Sequence, residues 1–399
     1  MDTKGISKLD LKRRNRRQIL LAIRNAGMLA RVDIAAQLSL TRAAVTIITN
    51  QMIAQGILED MNTPAPALDM PRKKGRRKTM IRINPNYKFV LGAVVDEDFV
   101  SVGLSNLADD VLGKSKMAIT AETGQKEIIS FIVKSCRDMI RKASLQPDQV
   151  LGLGVGIVQD RWKNLGVEIT EKGAVLFDSV QEQVSRELGM PVFCGNAVGL
   201  YAVANTDFTD QRHRCQLLLY SGSGYQTAVV RDGELVGGIA TDSASVDRII
   251  LTPGGRKSPG YPDGSVHAEI SASSLEEQSK EAIGRDVTIE EMCSAYIKED
   301  PEAVRITNEA LDKLAVLIYN LCACHRASRV VYHSYLITKP AMKRLQQLVS
   351  NICGERQEIK LERSKVEGDK SFLAGSQLAM ARLFYDLGGM SPSADANES

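Results

Sequence analysis

Four stretches of the sequence hold residues whose types and spacing could do chemistry. PVFCGNAVGLYAVAN, residues 191–205, reads as a short buried strand, a Gly-Asn turn and a helix of small and apolar residues. Corners of this kind at the carboxyl edge of a parallel sheet are where α/β proteins bind ligands, yet this one carries no acid, base or nucleophilic hydroxyl. Gly222, Ser223 and Gly224 follow a predicted strand and form a turn whose backbone N–H groups could approach an anion; a plain tight turn fits them equally well. In CACH, residues 322–325, Cys322 and Cys324 stand two apart on a predicted helix and point in different directions, so they read as reduced core cysteines and not as metal ligands. The fourth stretch is the arginine-rich start of the chain, whose chemistry is that of a polyanion's partner.

The elements that must position those arginines are three helices. Leu11, Ile19, Ala22, Ile23 and Ala26 fall at helical spacing and Gly27 stops the run. RVDIAAQLS is a second short helix with Val32, Ala35 and Leu38 inward. In LTRAAVTIITNQMIAQGIL, Thr41 caps a third helix, Val45, Ile48 and Met52 line its buried face, and Gly56 ends it. A tight connection between the second and third makes a helix-turn-helix, and ILED and TMIRIN supply the two strands of a wing. Arg42, Thr46, Thr49 and Asn50 share the outward face of the third helix. The N-terminal part of a recognition helix meets base edges, so Arg42, Ala43, Ala44 and Thr46 are the expected readers, with Thr49 and Asn50 beside them. Arg42 can grip a guanine edge with two hydrogen bonds, and the alanines can lie against thymine methyls. Arg13, Arg14, Arg16 and Arg17 on the first helix suit phosphates. The Pro/Ala-rich linker MNTPAPALDMPRKKGRRK ends in Arg72, Lys73, Lys74, Gly75, Arg76, Arg77 and Lys78, read as an arm whose arginines enter the minor groove and not as a solvated charge run.

Charge separates this module from the rest. Residues 1–80 hold sixteen Lys and Arg against six Asp and Glu, a balance of +10, which in a chain of net charge +3 leaves −7 for the remaining 319 residues. Seven scattered cysteines fit a reducing cytoplasm. No window approaches the roughly 20 apolar residues that cross a bilayer, and Arg24 and Asn25 interrupt the run that would make a signal peptide, so a cytoplasmic protein without a membrane partner is expected. Beyond residue 80 FVLGAVVD, VSVGLSNL and VLGKSKMAI read as consecutive strands; QLLLYSGSG and TAVVRDGELV repeat the pattern, and helices follow each run. Two α/β lobes facing a cleft are expected. The expected divisions are 1–60 for the helix-turn-helix, 61–79 for the basic linker and wing, 80–205 for the first lobe, 206–390 for the second lobe and dimerisation region, and 391–399 for a disordered tail.

NRRQILLAIRNAG, RVDIAAQLSLTRAAVT, MIAQGIL and GRR, followed by an α/β body, resemble the ROK family of repressors and sugar kinases, in particular its xylose and N-acetylglucosamine repressor branch. The resemblance runs over residues 10–388 and is strongest in the first 83. It implies an α/β fold class: an N-terminal winged helix-turn-helix followed by a two-lobed body, actin-like and ribonuclease H-like, of the ROK sugar-kinase type. The family corner is similar to PVxVENDxNAAALxE, which aligns with PVFCGNAVGLYAVAN without a gap. Asn196 then matches a sugar-contacting Asn, and Ala197 stands where the family has the catalytic Asp; a methyl group removes no proton. SGSGYQTAVV fits the family's phosphate loop only in Gly222, Ser223 and Gly224. Ser245 and Arg248 stand at the places of a sugar-binding Glu and His. PGGRKSPGYPDGSVHAE replaces the zinc signature, and VVYHSYL puts His333 and Ser334 at the paired glycines of the nucleotide motif, where they would crowd an adenine.

The resemblance and the residues together imply a DNA-binding regulator, a repressor of carbohydrate-related genes, acting as a homodimer or tetramer on a double-stranded operator. No catalytic residue, metal or cofactor is expected. The effector would be a sugar or sugar phosphate held by Asn196, Gly222, Ser223, Gly224, Ser245 and Arg248, with Arg248 favouring an anion. Two alternatives stay open: a ligand-free dimerisation or protein-docking scaffold, and an active sugar kinase.

Overall fold

The computed structural model describes residues 8–61, 79–170, 175–210, 214–238, 244–334, 338–355 and 357–390. The arm residues Gly75, Arg76 and Arg77 and the 391–399 tail lie outside the described residues. The N-terminal module is α1 (Lys8–Ala26), β1 (Leu29–Ala30), α2 (Arg31–Gln37), α3 (Arg42–Ala54), β2 (Leu58–Met61) and β3 (Met80–Ile83). Thr41 caps α3, its hydroxyl accepting from the Ala44 N–H at 3.2 Å. The wing strands β2 and β3 pair antiparallel with Leu58 opposite Ile83, and β1 adds to the free edge of β3. Ile19, Leu20, Ile23, Ile34, Val45 and Met52 fill the space between helices and wing.

That core continues into the body. Val90, Ala379, Met380, Leu383, Phe384 and Tyr385 belong to the same cluster as the buried faces of α1, α2 and α3. The module is therefore packed on the body and not merely tethered to it.

The first lobe carries β4 (Phe89–Val95), β5 (Phe99–Asn106), β6 (Val111–Ala118), α4 (Gln125–Lys142), β7 (Val150–Ile157), the hairpin β8 (Glu168–Ile169) and β9 (Val175–Leu176), α5 (Asp178–Leu188), β10 (Val192–Asn196) and α6 (Ala197–Ala204). The second carries β11 (Cys215–Ser221), β12 (Tyr225–Arg231), β13 (Glu234–Leu235), β14 (Ala244–Ser245), α7 (Val266–Ile270), α8 (Ala272–Ile283), α9 (Ile289–Ile297), α10 (Pro301–His325), β15 (Arg329–His333), α11 (Lys339–Cys353), β16 (Lys360–Arg363) and α12 (Phe372–Met380). The strand orders are β10-β7-β4-β5-β6 and β13-β12-β11-β15-β16. In each sheet the first strand is central, with an antiparallel meander on one side, joined in the second sheet by β14 on β12, and two strands parallel to the central one on the other. The second lobe thus repeats the topology of the first.

The assignment of residues 206–390 to the second lobe needs one correction. Helix α12 comes back across the cleft and packs on β4, β7 and β5 of the first sheet. Glycines let it: a Cβ on Gly154 would lie 2.0 Å from the Gly375 carbonyl oxygen. A π-helical turn, Ala381–Tyr385, then carries the chain from the lobes to the N-terminal module.

Candidate nucleic-acid interface and ligand cleft

Spacing on α3 decides what faces outward. Val45, Thr49 and Met52 are fully buried, one stripe of the helix, while Arg42, Ala43, Thr46, Ile47 and Asn50 are exposed and Ala44 is half-buried. Thr49 therefore leaves the set of expected readers: its hydroxyl donates to the Val45 carbonyl at 2.8 Å and accepts from Arg31 Nε at 3.0 Å. Asn50 is exposed, but its Oδ1 accepts from Arg31 Nη2 at 3.1 Å, and the same nitrogen reaches Asp60 Oδ1 at 3.2 Å. Arg31, through these bonds, and the exposed Ile47 belong to this surface and were not among the expected residues.

The four arginines of α1 part company. Arg14 is exposed and Arg13 half-buried. Arg17 is exposed and pairs with Asp386 at 3.1 Å. Arg16, expected on a phosphate, is 1% exposed; its Nε donates to the Gly388 carbonyl at 2.7 Å and Nη2 to Gln55 Oε1 at 2.8 Å. Burial lowers the pKa of this guanidinium from its ordinary value, against an opposite pull from Tyr87. Arg16 is thus a clamp between α1, the end of α3 and the end of the body. Arg24 adds to the joint by lying over Phe208, 3.8 Å from the ring centroid, and over Tyr385 at 4.9 Å.

Acids stand where the two lobes meet. Asp96 and Glu97 lie in the turn between β4 and β5, and Asp160 in a 3-10 turn after β7. From the second lobe, Tyr220 Oη donates to Asp96 Oδ1 at 2.7 Å, and the Ser223 N–H donates to both Glu97 oxygens at 3.0 and 2.7 Å. The Ser223 hydroxyl reaches Asp160. The turn at 222–224 does hold a carboxyl group, and that group is the protein's own. A Cβ on Gly222 would lie 2.0 Å from Glu97 Oε1, and one on Gly224 2.3 Å from Asp247 Oδ2, so both glycines serve to let a carboxylate in. Burial first, then Asp160 and Asp96, raise the Glu97 carboxyl from 4.5 to about 7.

The remaining candidates surround this turn. Asn196 is 2% exposed and spends its side-chain oxygen capping α6, accepting from the Val198 N–H at 2.9 Å. It edges a recess shared with Gly199, Thr227, Leu235 and Ala244. Ser245 is exposed beside that recess, its hydroxyl donating to Asp247 Oδ2 at 3.2 Å. Arg248 is exposed and donates to the Gly260 carbonyl at 2.8 Å. Next to it Tyr261 stacks on His267 with ring centroids 3.8 Å apart, and His267 Nδ1 is buried without a hydrogen-bond partner among the described residues. His267, like Glu97, Asp160 and Asp247, was not anticipated; for Glu97 the acidic triplet between two strands was the available signal.

Comparison with known proteins identifies the scaffold. The ROK family model matches residues 98–381. The chain belongs to the ROK family. A xylose repressor of Lactiplantibacillus pentosus is 21% identical over 352 residues, covering 85% of each chain. A putative xylose repressor of a Caldicellulosiruptor species is 23% identical over 230 residues, 57% of this chain and 56% of that one. Among solved structures, a ROK family transcriptional regulator, a homologue of the E. coli MLC protein, superposes with a TM-score of 0.71 at 18% identity over 95% of this chain and 98% of that one. A ROK hexokinase of Thermus thermophilus superposes with a TM-score of 0.58 at 17% identity, over 72% of this chain and 96% of that one. The hexokinase likeness shows the fold of the body, and the regulator likeness extends that fold over the N-terminal module.

On this ROK body three motif positions acquire physical meaning. Ala197 is 0% exposed and packs with Val94, Val158 and Leu218. The position that the resemblance matches to a catalytic Asp is thus buried among apolar side chains. His333, expected to crowd a nucleotide, turns inward instead: it stacks on Tyr201 at 3.9 Å and on Tyr220 at 5.6 Å and hydrogen-bonds Ser364 at 2.9 Å. Burial lowers its pKa to about 3, so the ring is neutral. In the segment that replaces the zinc signature, the carboxylate of Glu269, 2% exposed, accepts from the Arg256 N–H at 2.8 Å and pairs with Lys313. Cys322 is fully buried and Cys324 exposed, facing different ways as their spacing on α10 requires.

Proposed function

We propose that this ROK protein is a sequence-specific DNA-binding transcriptional regulator, a repressor of carbohydrate-related genes, whose kinase-like body no longer transfers phosphate. The observation that carries the DNA reading is the outward face of α3. Arg42, Ala43 and Thr46 stand exposed on a capped helix whose opposite stripe is locked into the core, the arrangement by which a recognition helix enters the major groove. Exposed Arg14 on α1 supplies a backbone contact, and Arg76 and Arg77 of the wing linker supply more in the minor groove. The xylose-repressor names of relatives covering 85% and 57% of the chain support the same reading. Two copies bound to a two-fold site would couple through the body: an effector favouring one lobe arrangement changes the spacing of the recognition helices, and Arg16 and Arg24 are the rigid joint that transmits it.

Phosphoryl transfer has no base at Ala197, and Glu97 and Asp247 occupy the turn where a transferred phosphate would need N–H donors. A neutral sugar fits this turn better than its phosphate, since the carboxylates of Asp160 and Asp247 stand at it and repel an anion. The unpartnered Nδ1 of His267 supports a ligand, because buried polar atoms without partners are uncommon in native proteins. The filled turn favours the second reading, a ligand-free scaffold. The deciding experiment combines selection of sites from a random duplex pool with thermal shift against neutral hexoses, pentoses and hexose phosphates. A neutral sugar that raises the melting temperature and alters affinity for the selected site is expected. Enrichment of one site with no stabilising sugar leaves the scaffold standing, and no enriched site removes the DNA reading. Arg42→Ala is expected to lose base preference at one position, about 1–3 kcal/mol of discrimination; an unchanged selected site would rule out this face of α3.

A further inference from the structure

We infer that Ile47 is a sequence-reading residue and that the face of α3 reads thymine methyl groups. The inference rests on the DNA-binding reading and specifies what that surface recognises. Ile47 is 60% exposed, more than any other large apolar side chain among the described residues. It lies one turn beyond Ala43 and next to Thr46, on the side of α3 opposite Val45, Thr49 and Met52. A branched apolar side chain held in water on a helix that has a complete core face contributes nothing to folding at that position.

The polar groups on the same face are mostly spent inside the protein. The Thr46 hydroxyl donates to the Arg42 carbonyl at 2.8 Å, so its proton is used within the helix and a methyl is what it offers. Reading adenine with Asn50 would need both its oxygen and its amide nitrogen, and the oxygen is held by Arg31, itself fixed on Thr49 and Asp60. What projects is Arg42 flanked by Ala43, the Thr46 methyl and Ile47. In the major groove the apolar feature of a base pair is the thymine C5 methyl. A patch of three apolar groups beside one guanidinium thus fits a half-site in which adjacent thymines flank the base or phosphate met by Arg42.

The test uses the full-length protein and duplexes it selects from a random pool. Each thymine of the selected half-site is then replaced by deoxyuridine, which removes the methyl and leaves base pairing intact. Burying one such carbon is worth about 0.8 kcal/mol, so wild type is expected to lose about fourfold in affinity at one or two positions, with no loss elsewhere. Ile47→Ala is expected to bind the thymine duplex about fourfold or more weakly and to lose discrimination at one of those positions, with melting temperature unchanged because the side chain is exposed. Equal binding of thymine and deoxyuridine duplexes by wild type, or full discrimination retained by Ile47→Ala, overturns the proposal. So does a variant with unchanged DNA binding and an altered oligomeric state in sedimentation, which would make Ile47 a protein contact. Failure to enrich any duplex would instead strike at the DNA-binding reading itself.

Discussion

The outward face of α3 and the turn at 222–224 are built from groups of similar promise and end in opposite states. Both offer donors to an anion, and a positively charged or N–H-rich surface is what a phosphate or a base edge requires. On α3 the donors of Arg42 remain directed at solvent, whereas at the turn the Ser223 N–H is taken by Glu97. The same contrast divides two arginines of one module: Arg42 is exposed, and Arg16 is 1% exposed and bound to the Gly388 carbonyl. Residue type names the possible partner, and the state of its hydrogen bonds tells whether that partner is already inside the molecule. The ROK body has filled its turn with its own carboxyl group, whereas the outward face of α3 is left open.

The largest expected effect comes from breaking the internal side of that comparison at Arg16. Arg16→Ala removes two charge-assisted hydrogen bonds and leaves the Gly388 carbonyl in the joint without this donor. Hydrogen bonds to charged groups are worth about 1.5–3 kcal/mol each, so a loss of about 3–4 kcal/mol is expected in urea unfolding, while Arg14→Ala changes stability by less than about 0.5 kcal/mol. Because the module and the body share one core, the calorimetric transition of Arg16→Ala should also split, the module melting before the lobes. Equal stability of the two variants would show that Arg16 belongs with the DNA-facing arginines after all.

Glu97 offers the next effect, read through pH. Its carboxyl is raised from 4.5 to about 7, so the folded protein binds a proton there that the unfolded chain has released. Stability contributed by the protonated form is complete below about pH 4.5 and is lost as pH rises through about 7, a difference on the order of 3 kcal/mol. The groups that face it are Asp96, Asp160, Tyr220 and Ser223. Arg161, also in the cleft, spends its guanidinium on the Thr120 and Glu97 carbonyls and not on the carboxylate. Glu97→Gln should flatten this part of the profile of unfolding free energy against pH and raise stability at pH 8. A profile of unchanged slope would mean that the carboxylate is paid for by interactions of its ionised form, and the turn would then be a true anion site in waiting.

Much of this was open to reading in the chain. The glycine stops of α1 and α3, the Thr41 cap, the wing strands and the doubled run of strands follow from local spacing, which the sequence carries directly. Thr49 was readable too, since it stands four residues after Val45 and three before Met52 and so falls on their stripe; its polar type misled where its position did not. Other features depend on contacts no local pattern encodes. Arg16 meets a carbonyl 372 residues away, and Glu97 meets an N–H 126 residues away. The return of α12 to the first sheet shows itself only as glycines in β4, β5 and β7, which a linear reading takes for loose strand positions.

The smallest expected effect falls at Arg31, where the two states meet within one module. Its guanidinium joins Thr49, Asn50 and Asp60, and its side chain is 23% exposed. Arg31→Met keeps the aliphatic stem and removes these bonds, for a loss of about 1 kcal/mol, the usual scale of a partly exposed ion pair with its hydrogen bonds. The more telling consequence is at Asn50, whose oxygen is then released together with its amide for adenine. Sites selected by Arg31→Met should therefore gain an adenine preference at a position indifferent in the wild-type set, on top of the thymines read by Ile47. If the selected sites stay the same, Asn50 lies outside the groove and the outward face of α3 ends at Ile47; if adenine appears, an internal hydrogen bond has been holding a reader in reserve, and the boundary between the satisfied and the waiting groups runs through a single side chain.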